Sequence, residues 1–234
     1  MFDKHIYAKQ HDVIWDEYKS KYRDIYTNDD PEEHSALVID GVVNPDKYGG
    51  ILFFLKEAHD AGSGFFWDIR EWLSEKIRHP MWNRAAEWTY GLLNTTSETV
   101  PRFKSWSESD KLAALNSISL VNVKKIRGLR QSTDKDLSSY VLENGNLLRQ
   151  EIVACKPRII VCGGTFKYLK DIFGYTPQKS NDHWYYRVPL SEELTDVLVI
   201  DYYHPSVIYS ALLTYYGITN IYQQFLKENE SHAD

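Results

Sequence analysis

The chain has 234 residues, of which 43% are hydrophobic and 26% charged, enough to bury one sizeable core in a single globular domain spanning 1–234. Its formal net charge of −6 gives no global attraction for phosphate, so a nucleic-acid partner has to be argued from a local patch. The apolar runs are strand-sized, well short of the ~20 residues that span a bilayer, and the start "MFDKHIYAKQHDVIWDEYKSKYRD" has no signal-peptide core, so a cytoplasmic protein with no membrane partner is expected.

Residues 1–35 read as an aromatic helical arm, because Ile14, Tyr18, Tyr22 and Ile25 or Tyr26 recur at helical spacing and give it a face to pack on the body. "YGGILFFLKEAHD" follows, with an apolar run from Ile51 to Leu55 too short for most helices and expected to be a buried strand. From Phe65 to about Asn94 the pattern is helical and tryptophan-rich, interrupted at Pro80. A helix opens near Ser107, whose hydroxyl suits a cap, and runs into a strand over 118–123. Another helix covers about 137–154. "KPRIIVCGGTFKYLKDIFG" reads as strand, glycine turn and helix, with Thr165 as cap, and "DVLVIDYYHPSVIYSALLTYYG" repeats that order. The two cysteines, Cys155 and Cys162, suit a reducing compartment and are too few for a zinc ribbon or a four-cysteine cluster.

Four apolar strands separated by helices predict an α/β fold: three layers, α/β/α, around a four-stranded, mainly parallel sheet. Ligands of such sheets bind at the carboxyl ends of the strands. That rule gathers Lys56–Trp67, Asn122–Arg130, Gly163–Thr165 and His204–Ser210 at one edge. There Pro205 fixes the backbone as its strand ends, Ser206 is placed to cap the next helix, and His204 projects from the rim, either as a catalytic group or as a polar turn residue. The segment "VNVKKIRGLRQSTDK" on the same edge holds five basic residues and one acidic one, which suits either phosphate contact or a solvated loop.

At these residues, over roughly 50–215, the chain resembles the uracil-DNA glycosylase superfamily. "FFLKEAHD" resembles the first-strand motif that carries the water-activating residue, and "SLVNVKK" the second-strand motif whose Asn recognises the base. "IIVCGG" resembles the glycine-ended third strand, and "YYHPSVIYS" the His-Pro-Ser motif. Ala58 stands where the best-known branch has its catalytic Asp. Glu57 matches the Glu of a branch reading Gly-Glu-x-Pro-Gly, in which His59 and Asp60 here replace Pro and Gly. The resemblance implies that Glu57 orients water and stabilises the sugar cation, and that His204 donates to the departing base. Asn122 then reads the base, with Asp60, Phe66 and Trp67 beside it; Phe65, Phe66 and Trp67 are equally suited to a core.

Such an enzyme flips its base out of the stack. In the resembled family the loop after His-Pro-Ser enters the DNA stack, so Val207, Ile208 and Tyr209 are expected as an apolar wedge, and Lys124, Lys125, Arg127, Arg130 and Ser206 are expected to contact DNA. The expected function is excision of a uracil-like or modified base, in repair or in defence against altered DNA, by a monomer with no cofactor. The replaced turn at His59 and Asp60 and the large 62–110 insert leave the base open. Two alternatives stand beside it: a metal-dependent hydrolase using Glu57, His59, Asp60 and His204, and a catalytically silent DNA-binding member of the same fold.

Overall fold

The computed structural model describes residues 2–23, 37–58, 66–126, 133–175 and 184–231. Helix α1 (Lys4–Lys21) is capped by Asp3, whose carboxylate accepts from the backbone of His5 and Ile6, and it buries Tyr7, Ile14, Trp15 and Tyr18. Three short strands and one long one follow: β1 (Leu37–Ile39), β2 (Gly41–Val42), β3 (Ile51–Glu57) and β4 (Phe66–Asp68). Helices α2 (Ile69–Glu75) and α3 (Pro80–Asn94) are separated at Pro80, which occupies the first turn of α3, where a missing N–H is harmless. Helix α4 (Glu108–Leu115) opens on the reciprocal capping box of Ser107 and Asp110, as the hydroxyl at 107 predicts.

The remaining elements are β5 (Ile118–Lys124), α5 (Asp134–Ala154), β6 (Ile159–Gly163), α6 (Phe166–Phe173), β7 (Tyr185–Val188), β8 (Val197–Tyr202) and α7 (Ala211–Ser231). Among the described residues the main sheet has six strands in the order β2-β5-β3-β6-β8-β7. The inner four are parallel and are the four expected from the apolar runs, while β2 and β7 add antiparallel edges. Four strands were expected because β2 and β7, two and four residues long, carry no run long enough to register. Strand β4 pairs parallel with β1 in a separate two-stranded sheet, so the expected helix begins only at Ile69.

Alternation along the inner strands explains the layering. Ile51, Phe53 and Leu55 face α2, α3, α4 and α7, whereas Leu52 and Phe54 face α1, α5 and α6. Helices therefore cover both faces, and burial of each large side chain is worth roughly 1.5–3 kcal/mol. The N-terminal helix is part of this second layer, with Trp15 and Tyr18 in the core.

Candidate active site

One register line crosses the inner strands at Val121, Phe54, Cys162 and Asp201. Glu57, Asn122, Gly163 and His204 all lie beyond it, at the carboxyl edge. Counting in twos from the core residues, Glu57 follows Phe53 and Leu55, and Asn122 follows Ile118 and Leu120, so both belong to the face covered by α2, α3, α4 and α7. Gly163 lets the edge close: a Cβ there would stand 2.6 Å from Cδ2 of Leu55 and 3.4 Å from Cα of His204.

His204 follows β8 and is half-buried. Its Nδ1 accepts from the backbone N–H of Ser206 at 3.2 Å and lies 2.7 Å from the Ser206 hydroxyl. An N–H directed at Nδ1 assigns the proton of the neutral ring to Nε2, which is left as the donor. Burial, with the positive charge of Lys56 nearby, pushes this imidazole down to about 4, so it is neutral around pH 7. The loop is held twice more: Val207 N–H donates to the His204 carbonyl at 2.9 Å, and the Arg84 guanidinium, from α3, donates to the Val207 carbonyl. Ser206 does not cap the following helix as expected, because α7 starts only at Ala211; the hydroxyl serves the imidazole instead. Thr165 likewise is no cap by its side chain: its hydroxyl donates to the Phe54 carbonyl at 2.6 Å, tying β3 to the turn after β6.

Glu57 ends β3 with its side chain 4% exposed, and Lys124 lies 3.6 Å from its carboxylate. Lys124 also pairs with Asp136 at 2.7 Å, so this ammonium stands between two carboxylates rather than projecting toward a phosphate. Lys56 precedes Glu57 on the opposite face, with its Cε 3.9 Å from where a Cβ on Gly164 would stand.

Lys125 overturns its expected role at a DNA backbone. It is wholly buried, 2.7 Å from Asp40 and 2.7 Å from Glu151, with its ammonium over the rings of Trp15 and Tyr18. Burial opposes its charge, but the two carboxylates outweigh burial and hold it above the ordinary lysine range. Burial and the charge of Asp40 push Glu151 well above the usual carboxylate range. The other oxygen of Asp40 accepts from both the backbone N–H of Asn122, at 2.7 Å, and its side-chain Nδ2, at 3.0 Å. Asn122 is 3% exposed.

The rim beside His204 is aromatic and apolar. Trp184, Tyr203 and Tyr209 form a run of ring contacts at 5.5 and 5.2 Å, and Ile208, at the loop tip, is 97% exposed. Trp67 packs edge-on against Trp72 at 5.6 Å on the core, and Phe66 beside it is 46% exposed. His59, Asp60, Phe65, Arg127 and Arg130 lie outside the described residues.

Asp40, Glu151, Arg84 and Trp184 are the residues that sequence reasoning passed over. Of these Asp40 had a legible signal, and so did the burial of Lys125, which had been expected at DNA. Asp40 interrupts the apolar run "LVIDGVV", and Lys125 follows Val121 and Val123 in the period of two that marks the α1-facing side of β5. Among the described residues, no three His, Cys, Asp or Glu side chains gather as a metal site, and no helix is long and apolar enough to cross a membrane. No protein-family model matches the sequence, and no curated protein matches it.

Proposed function

We infer that the protein is a DNA base glycosylase of the uracil-DNA glycosylase kind, hydrolysing the N-glycosidic bond of a flipped-out base. The observation that carries this reading is His204 held neutral at the end of β8, with Nδ1 occupied and Nε2–H left to donate, on the strand edge where Glu57 ends β3. In the reaction, water adds at C1′ of the deoxyribose and the base leaves with the bonding electrons. The Glu57 carboxylate orients the water and takes up its proton while opposing the positive charge on the sugar. Nε2–H of His204 meets the negative charge that develops on the base oxygen. Ile208 suits insertion into the vacated stack, and the Trp184–Tyr203–Tyr209 run offers faces for bases.

One observation favours a second reading, a catalytically silent DNA-binding protein on the same scaffold: Glu57 is nearly covered, with Lys124 alongside it. Incubation with duplexes carrying uracil, deaminated purines or modified cytosines separates the two. Base excision predicts free base and abasic sites from at least one of them, abolished by Glu57→Gln. Tight binding without release from any duplex supports the silent reading.

A further inference from the structure

Asn122, the base reader of the proposed function, is not free to turn. Its backbone N–H and one N–H of its side-chain Nδ2 meet one oxygen of Asp40, and reversing the carboxamide would set Oδ1 against that oxygen instead. Oδ1 therefore faces away from Asp40. Asp40 stands between β1 and β2, and β2 pairs with the outer side of β5. The direction away from it is that of β3, which ends at Glu57, and of β8, after which His204 stands.

Asp40 is itself immobilised. Its second carboxylate oxygen takes Lys125, whose other partner is Glu151, and its backbone carbonyl lies 2.8 Å from Nε2 of His11. His11 in turn meets Arg70, which is clamped by Asp68 at 2.6 Å. Asp40, Lys125, Glu151 and His11 are buried around α1, β1 and β5, while Arg70 and Asp68 at the outer end are part-exposed.

We propose that Asp40 is a positioning residue that sets what the site reads: it fixes the Asn122 carboxamide with its oxygen toward the base, selecting bases that present an N–H donor. This rests on the base-excision reading. The substrate class is then a base with a ring imide or lactam N–H, or an amino group, at the edge read, and a ring N-methyl derivative is rejected. Lys125 and Glu151 serve by anchoring Asp40 and touch no substrate.

The test compares single-turnover release of uracil and hypoxanthine with that of N3-methyluracil and N1-methylhypoxanthine from matched duplexes. Two double variants remove the buried charge pair together, so neither leaves an orphaned ammonium. Asp40→Asn/Lys125→Met keeps an oxygen for Asn122, and Asp40→Leu/Lys125→Met does not. The wild type should prefer the N–H base by at least about 100-fold, since a site built to pair a donor loses that pair with the methylated base. The Asn/Met variant should keep that ratio within about threefold, and the Leu/Met variant should lower it at least about tenfold. An equal ratio in all three proteins overturns the proposal, as does its loss in a folded Asn/Met variant, an outcome that decides the matter even if the Leu/Met protein does not fold. Wild-type release with an unchanged ratio in the variants refutes the role of Asp40 alone. No release by the wild type from any duplex refutes base excision, and this proposal with it.

Discussion

Ser206 holds His204: a backbone N–H and a hydroxyl from one residue both reach Nδ1, two positions along the same turn. The arrangement fixes the ring and its tautomer from within the loop. Ser206→Ala removes the hydroxyl and leaves the N–H. The single-turnover rate should fall about fivefold, the worth of one hydrogen bond of ~1 kcal/mol, with the melting temperature nearly unchanged because the residue is exposed. An unaltered rate would mean that the backbone alone orients the ring.

The neutrality of His204 has a pH signature. Its folded value is about 4 against an ordinary 6.5, through burial first and Lys56 second. Between those values the unfolded chain binds a proton that the folded one refuses. The associated stability is thus complete above about 6.5 and is lost as pH falls through about 4. His11, also pushed to about 4 by burial and Arg70, adds to the same loss. Removing the Lys56 charge should move His204 upward, so Lys56→Met should carry the acid limb of base release to higher pH. A superimposable pH–rate profile would remove Lys56 from the site's electrostatics.

Ile208 carries no core contact to lose, being almost fully exposed. Ile208→Ala should therefore leave stability unchanged. It should slow release from duplex DNA by about 10-fold while sparing single-stranded DNA, because only the duplex demands a few kcal/mol of unstacking. Equal slowing on both substrates would place Ile208 outside the flipping step.

Much of the architecture is legible in the sequence because burial on both faces makes a strand a continuous apolar run, as in "ILFFL" and "RIIVCG". The edge strands β2 and β7 and the β1–β4 pair are not, since pairing between short segments distant in sequence leaves no local pattern. At the site, the placement of Glu57 and His204 at strand ends followed from the same runs. Lys125 did not, because in sequence it sits among Lys124, Arg127 and Arg130, and a basic cluster reads as surface. Only the phase of β5 places it opposite its neighbour Lys124, and only the fold brings Asp40 and Glu151 to it.

That buried array makes its own prediction. Lys125→Ala leaves two buried carboxylates facing each other, at a cost of about 3–5 kcal/mol. A chain of this size should then melt about 10 °C lower. Lys125→Met, which fills the space, should lose less of its packing. The salt dependence of DNA binding per folded molecule should be unaltered in both. A normal melting temperature with a flatter salt slope would put Lys125 at the phosphate backbone after all.

The most direct measurement concerns His204→Ala, with melting temperature and single-turnover base release taken on one preparation. If Nε2–H stabilises the departing base, release slows by ~10² to 10³, while folding and DNA affinity stay close to the wild type. If His204 is only a turn residue, the melting temperature drops and release per folded molecule is unchanged, which would contradict the catalytic assignment on which the proposed function stands.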